Sequence, residues 1–78
     1  MVSTHWILLM TLIFSDNSYQ THKMTTYGKE YCIQHAHLKW AEFYANKTPA
    51  TFGTVCVNDK NSNDFIEVKC DKMGNCNI

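Results

Sequence analysis

Cysteine and histidine carry the strongest chemistry in this 78-residue chain, with four residues of each type. Cys32, His35 and His37 are close enough in sequence to suggest a thiol nucleophile with a histidine base, or a set of metal ligands. On a helix, however, His35 and His37 point about 160° apart, so they cannot face one ion together. A cysteine in a disulfide can serve neither role. We therefore expect no enzyme activity, no metal and no cofactor, with both histidines on the surface.

The even number of cysteines in so short a chain is typical of an exported protein with two disulfides. Four cysteines permit three pairings, and spacing favours one of them. Cys70 and Cys76 are six residues apart around a glycine and can close a small loop, which leaves Cys32 to pair with Cys56. In the chain-entropy model the longer loop contributes about 3.5 kcal/mol to stability and the shorter one about 2.4 kcal/mol. Bonds of this size matter in a domain too small to rely on its core alone.

Two further patterns could bind or accept a group. Asn46, Lys47 and Thr48 form the acceptor triplet for N-linked glycosylation at the end of a predicted helix, where exposure is expected. Asp59, Asp64 and Glu67 suggest a calcium loop, but they lack the glycine that an EF-hand loop needs at its sixth position. We predict a glycan site at Asn46 and solvated turn residues at the three acids.

The charge balance disfavours two classes of partner. The chain has seven lysines, seven carboxylate side chains and no arginine, so its net charge is zero. Nucleic acids and anionic membranes are bound by a concentrated basic surface, usually with arginine, whereas these lysines are dispersed among acids. We expect neither a nucleic acid nor a membrane as the partner.

Residues 6–14 form the strongly apolar segment of the chain and are followed at once by polar residues 15–18. As a helix these nine residues cover roughly 13 Å, well short of the hydrocarbon thickness of about 30 Å. The length suits the central region of a signal peptide. We predict a removable signal peptide at residues 1–15, cut after Ser15 or alternatively after Ser18. The competing interpretation is a buried amino-terminal strand or helix of a cytosolic protein.

The rest of the chain is predicted to hold a mobile arm at residues 16–26 and a disulfide-stapled domain at residues 27–78. A helix is expected over residues 28–46, started by Thr25 or Thr26 as a cap. Its apolar stripe recurs at spacings of three and four, and Cys32 lies on the border of this stripe. The stripe consists of Ile33, Ala36, Trp40, Phe43 and Tyr44.

Short strands are predicted after the helix, at residues 54–57 and 65–70, because these stretches are rich in β-branched and aromatic residues. The polar run at residues 58–64 is typical of a hairpin loop, and residues 71–78 of a tight terminal loop. The sequence therefore predicts an α+β fold: one small module with an amphipathic helix and a two- or three-stranded antiparallel hairpin, joined by two disulfides.

The order of Cys32, Cys56, Cys70 and Cys76, with Phe65 between the middle pair and Gly74 and Asn75 before the last, resembles a shortened thyroglobulin type-1 domain. In that family a first cysteine near a short helix pairs with a second that opens a hairpin, and a third pairs with a fourth across a glycine-containing turn. The resemblance covers roughly residues 32–76 and implies the pairing that the spacing favours. The family's Cys-Trp-Cys-Val signature is replaced by Cys76, Asn77 and Ile78.

Some thyroglobulin type-1 domains inhibit papain-like cysteine proteases, so this resemblance implies a secreted protease inhibitor. A fainter likeness, carried by the segment from Val55 to Cys76, is to the short secreted peptides of insect male accessory glands, which are components of seminal fluid. A degenerate Kazal module is a third resemblance, suggested by Cys56 and Cys70. We expect a secreted, monomeric, non-enzymatic protein that binds an extracellular protease, or alternatively a receptor as a seminal-fluid or venom-type ligand.

Overall fold

The computed structural model describes residues 5–47 and 49–78, in which one helix packs on one face of a four-stranded antiparallel sheet. The elements are β1 (Trp6–Phe14), β2 (Tyr19–Thr26), α1 (Lys29–Ala45), β3 (Ala50–Asn58) and β4 (Asn61–Val68). The strands lie in the order β2-β1-β3-β4, so β1 is a central strand that pairs with both β2 and β3. The α+β class agrees with the prediction, but the sheet has four strands instead of the expected two or three.

Apolar side chains on both faces of β1 explain its central position. Trp6, Leu8 and Met10 point towards the helix and are buried, whereas Ile7 and Leu9 point to the opposite face and are partly exposed. Such near-continuous apolar runs are typical of strands in the interior of a sheet. Cleavage after Ser15 would remove this strand. The signal peptide and this fold therefore exclude each other in the mature chain, and the signal peptide stays a prediction.

Residues 16–26 include a turn and an edge strand, whereas the sequence predicted a mobile arm there. In the turn, Asn17 has a φ of 70°, in the left-handed region that asparagine tolerates. The carboxylate of Asp16 accepts hydrogen bonds from the hydroxyl of Ser18 at 2.6 Å and from its backbone N–H at 3.0 Å. These two bonds lower the pKa of Asp16. The sequence did not predict this strand because its side chains are mostly polar and exposed, and only Met24 and Thr26 are at least partly buried.

The helix begins and ends where the sequence predicted, between Gly28 and Asn46. Of the predicted stripe, Ala36 and Trp40 are buried, and Cys32 at its border is buried as well. The other stripe residues are only half-buried, namely Ile33, Phe43 and Tyr44. The predicted cap is wrong: Gly28 occupies the capping position without a side-chain hydrogen bond. Thr26 is instead buried, and its hydroxyl donates to the carbonyl of Trp6 at 2.8 Å.

The structure contains disulfides between Cys32 and Cys56 and between Cys70 and Cys76, the pairing that the spacing favoured. The first joins α1 to β3, and both of its cysteines are fully buried. The second closes the terminal loop. In that loop the carboxylate of Asp71 accepts the backbone N–H groups of Met73 and Asn75, both at 2.9 Å.

The hairpin between β3 and β4 is tighter than predicted. Strand β4 starts at Asn61, so the connection is only Asp59 and Lys60, and most of the polar run at residues 58–64 belongs to the strand. An edge strand tolerates such polar side chains because much of it faces water. The loop predicted from the turn-forming residues is therefore longer than the observed one.

We expect deletion of residues 1–15 to abolish folding, because β2 and β3 would lose the strand between them. Circular dichroism during heating should show no cooperative transition for the chain of residues 16–78. Cooperative unfolding of the shortened chain would instead support cleavage of a signal peptide.

A substitution in the core tests the burial of β1. Leu8→Ala should lower the free energy of unfolding by about 3 kcal/mol. Leu38→Ala, at a position 61% exposed on the helix, is the matched control and should change the free energy of unfolding by less than about 0.5 kcal/mol.

Removing the two disulfides should have unequal effects on stability, since the first closes a loop with a sequence separation of 24 and the second one of only 6. We expect Cys32→Ala with Cys56→Ala to lower the free energy of unfolding by about 3.5 kcal/mol, and Cys70→Ala with Cys76→Ala by about 2.4 kcal/mol. Urea denaturation of each double variant measures these losses. A larger loss of free energy of unfolding from removing Cys70–Cys76 would contradict the prediction that Cys32–Cys56 is the more stabilising disulfide.

Candidate functional site

A groove of about 480 Å³ lies between strand β2 and the carboxy-terminal half of α1. Its floor is apolar and its rim is polar. We call it the α1–β2 groove. The apolar residues are Met10, Leu12, Met24, Phe43 and Phe52, and the polar ones are His22, Lys23, Lys39, Glu42 and Asn46.

The groove exists because the helix is fixed over β3 and β1 and leaves part of β2 uncovered. Near the start of α1, Cys32 is bonded to Cys56 of β3. Near its end, the indole N–H of Trp40 donates to the hydroxyl of Thr54 at 3.0 Å and to the carbonyl of Val68 at 3.1 Å. The hydroxyl of Thr54 also donates to Val68, at 2.7 Å. These buried contacts hold the helix on the β3 side of the sheet.

Aromatic packing makes one wall of the groove. The rings of Phe43 and Phe52 are stacked, with centroids 5.1 Å apart and planes inclined by 17°. The ring of Trp40 meets Phe52 edge to face at 5.0 Å. Packed aromatic rings of this kind have little freedom to move, so the wall is formed before any ligand arrives.

The rim of the groove carries both signs of charge. Lys39 and Glu42 form an ion pair at 3.3 Å on the helix, and His22 lies across from them on β2. An exposed pair of this kind adds little to stability. The charges of Lys39 and Glu42 cancel within their pair, and Lys23 adds one positive charge to the lining. The floor instead suits an apolar side chain.

Strand β2 is an edge strand, and none of residues 5–47 and 49–78 pairs with its outer side. The other edge, β4, is partly occupied at its end. There the side-chain amide of Asn77 donates to the carbonyl of Glu67 at 2.8 Å, and its oxygen accepts the N–H of Lys69 at 2.8 Å. The backbone groups of β2 are therefore available beside the groove.

A second surface is the face of the sheet opposite the helix, which we call the open face. Its centre is formed by Ile7 and Leu9 of β1 and by Val55 and Val57 of β3, all partly exposed. Phe65 of β4 extends this patch and is 61% exposed. Within the described part of the chain, no element covers this face.

The histidines and cysteines do not assemble a catalytic site. Cys32 is buried in its disulfide, and His35 is partly buried on the helix. The ligand atoms of His37, Cys70 and Cys76 lie within 4.8 Å of one another, but both sulfurs belong to one disulfide and are not thiolates. This arrangement provides neither a nucleophile nor a thiolate ligand.

The remaining predicted site residues lie on the surface. Asn46 is exposed at the end of α1 and lies on the rim of the groove, while Thr48 of the glycosylation triplet lies outside the described residues. Asp59 is in the β3–β4 turn. Asp64 and Glu67 are exposed on β4, where Asp64 accepts a hydrogen bond from the side-chain amide of Asn58 at 3.2 Å.

Both surfaces include residues of the segment 1–26, which the sequence predicted to lie outside the folded domain. Met10, Leu12 and Met24 complete the groove, and Ile7 and Leu9 complete the open face. One available signal was the presence of β-branched residues in the apolar run, namely Ile7, Thr11 and Ile13, which are typical of strands.

Comparison with models of known protein families, with curated protein sequences and with solved structures gives no match to this chain. Within residues 5–47 and 49–78, no helix combines the length and the apolar character needed to cross a membrane.

The hydrogen bonds that hold Trp40 predict the effect of one substitution. Thr54→Val keeps the shape of the buried side chain but removes the hydroxyl that bonds Trp40 and Val68. We expect a loss of about 1 kcal/mol in the free energy of unfolding. Thr51→Val, at an exposed position of the same strand, is the control and should have almost no effect. Equal losses in urea denaturation would show that the hydroxyl of Thr54 does not fix the helix.

Proposed function

We propose that this protein is a non-enzymatic binding module that captures an extended segment of a partner protein along the outer edge of β2. The observation that carries the proposal is the apolar floor of the α1–β2 groove beside a strand edge with which none of the described residues pairs. The same two features, a free edge and a neighbouring groove under a helix, allow a peptide to join a sheet as an extra strand.

The binding mode follows from strand geometry. A segment paired with β2 would extend the sheet by one strand, with its backbone groups bonded to those of β2. Its side chains would alternate between the two faces. Those on the helix side would enter the groove, where Met24 and Phe43 provide apolar contacts. Backbone pairing would supply affinity for any extended segment, and the groove would select large apolar side chains at alternate positions.

The affinity expected from this mode is modest. Burying one large apolar side chain contributes about 1.5–3 kcal/mol. Ordering a flexible segment opposes binding by a comparable amount. The rigid wall of Phe43 and Phe52 reduces the cost on the side of this protein, because the groove is formed in the free chain. Selectivity would therefore depend on one or two apolar anchors.

The disulfides support a site of action outside the cytosol. The chain has two disulfides. Disulfides form and persist in oxidising surroundings, as in secreted and extracellular proteins, and are rare in the cytosol. We therefore propose that the protein is secreted and that its partner is an extracellular protein.

The geometry favours one of the two partner classes expected from the sequence. An inhibitor of the thyroglobulin type-1 kind inserts its own loop into the cleft of a protease. This chain would instead receive a segment of its partner in the groove. That mode suits an extended segment of a receptor or of another extracellular protein. Inhibition of a papain-like protease stays a prediction from the family resemblance, and titration of such an enzyme with the purified protein tests it.

Selection from a random-peptide phage library against the immobilised, oxidised chain tests the proposed binding mode. We expect the selected peptides to share large apolar residues at alternating positions. In nitrogen-15 NMR spectra these peptides should shift the amide signals of β2 and of the groove residues, including Phe43. Peptides that shift other regions, or a selection that yields no binder, would contradict strand addition at β2.

A pair of variants on β2 separates the groove from the rest of the strand. Met24→Gln keeps the length of the side chain but makes the floor of the groove polar, and we expect peptide affinity to fall roughly tenfold. Thr21→Gln, at an exposed position on the open face of the same strand, is the control and should leave affinity unchanged. Fluorescence polarisation with a labelled selected peptide measures both. Equal effects would show that the groove takes no part.

A further inference from the structure

We propose that a second copy of this chain docks on the open face and forms a symmetric dimer in which two sheets pack face to face. This inference goes beyond the proposed function, because it uses the face of the sheet opposite the α1–β2 groove. It departs from the expectation of a monomer. The occupant is identified by the arrangement of charge and apolar side chains on the face.

The register of the sheet places four residues in one row across the open face. Lys23 of β2 pairs with Leu9 of β1, Leu9 pairs with Val55 of β3, and Val55 pairs with Glu67 of β4. Paired residues of antiparallel strands point to the same face, so this row has a lysine at one end, a glutamate at the other and two apolar residues between them. Both charged residues are exposed. Lys23 also borders the α1–β2 groove, but its pairing with Leu9 directs its side chain to the open face.

The next row has the same apolar centre without the charges. Thr25 pairs with Ile7, Ile7 with Val57, and Val57 with Phe65. The two rows together give a central apolar patch across β1 and β3, extended by Phe65 and bordered by polar or charged residues. An apolar centre with a polar rim is the composition of a protein interface.

Two-fold symmetry decides how two such faces fit together. An axis parallel to the strands, between β1 and β3, places β2 of one copy over β4 of the other. Lys23 of each copy then faces Glu67 of its partner, and Leu9 faces Val55. An axis parallel to the rows would instead place like charges over each other. Only the first arrangement is complementary in charge, and it makes the same ion pair twice.

This arrangement is also compatible with known sheet packing. Sheets that pack face to face lie about 10 Å apart with their strands nearly aligned, and their inner side chains interdigitate. Such a dimer covers the partly exposed Ile7, Leu9, Val55 and Val57. Both helices remain on the outside, so the α1–β2 groove of each copy stays accessible.

Charge reversal tests the proposed symmetry with substitutions at exposed positions. Sedimentation velocity over a concentration series should show a species of twice the 9.0 kDa chain mass. Lys23→Glu alone and Glu67→Lys alone should each raise the dimer dissociation constant about tenfold, because each places like charges together at both contacts. The double variant exchanges the charges and should restore dimerisation to the level of the natural chain.

A second variant tests the apolar centre. Val55→Asp should leave the protein monomeric, since it places a carboxylate in the middle of the interface. Tyr31→Asp, at a position 58% exposed on the helix, is the matched control and should not change the mass. Circular dichroism confirms that each variant is folded. A natural chain that stays monomeric at every soluble concentration would overturn the dimer. A double charge variant that fails to recover would overturn this symmetry.

These results are independent of the proposed function. The monomeric Val55→Asp variant should still bind a selected peptide, because the groove is on the other face of the sheet. Loss of dimerisation with intact peptide binding separates the two surfaces. Loss of peptide binding in the Met24→Gln variant with an unchanged dimer mass separates them in the opposite direction.

Discussion

The pairing of β1 with β2 and β3 at once is the interaction on which the rest of the structure depends. The inward side of β1 provides Trp6, Leu8 and Met10 to the core beneath the helix, and its outward side provides Ile7 and Leu9 to the open face. Without this strand, β2 has no neighbour in the sheet, and the hairpin of β3 and β4 keeps only the helix that Cys32–Cys56 and Trp40 fix to it. A two-stranded sheet gives the helix little apolar surface to pack on. The groove and the open face are therefore consequences of the same burial.

The position of the helix is the second constraint, and it decides which surface becomes a groove. The Cys32–Cys56 bond fixes one end of α1 to β3, and the bonded indole of Trp40 fixes its later turns. Because these contacts lie on the β3 side, the helix leaves a gap over β2. Each polar group in the network has a partner, so the buried indole and hydroxyl add specificity without an unsatisfied hydrogen bond.

The two proposed surfaces can act together. A dimer formed through the open faces carries two α1–β2 grooves on its outer sides, each beside its own β2 edge. A partner with two suitable extended segments, or a partner that is itself oligomeric, would be held at both grooves. Such bivalent contact can exceed the modest affinity of one groove when the spacing of the segments fits. The disulfides keep both copies folded where this contact would take place.

The sequence by itself determined the helix and the preferred cysteine pairing, because both depend on local spacing: three and four residues along the apolar stripe, and six residues between Cys70 and Cys76. Only the tertiary structure decided the roles of β1 and β2. An apolar run of nine residues fits a buried strand as well as the central region of a signal peptide, and the mostly polar β2 has no hydrophobic period to detect. Long-range pairing brings Lys23 and Glu67 into one row with Leu9 and Val55 and places Met24 opposite Phe43. Contacts between residues distant in sequence decide which strands become neighbours, so no local pattern predicts it.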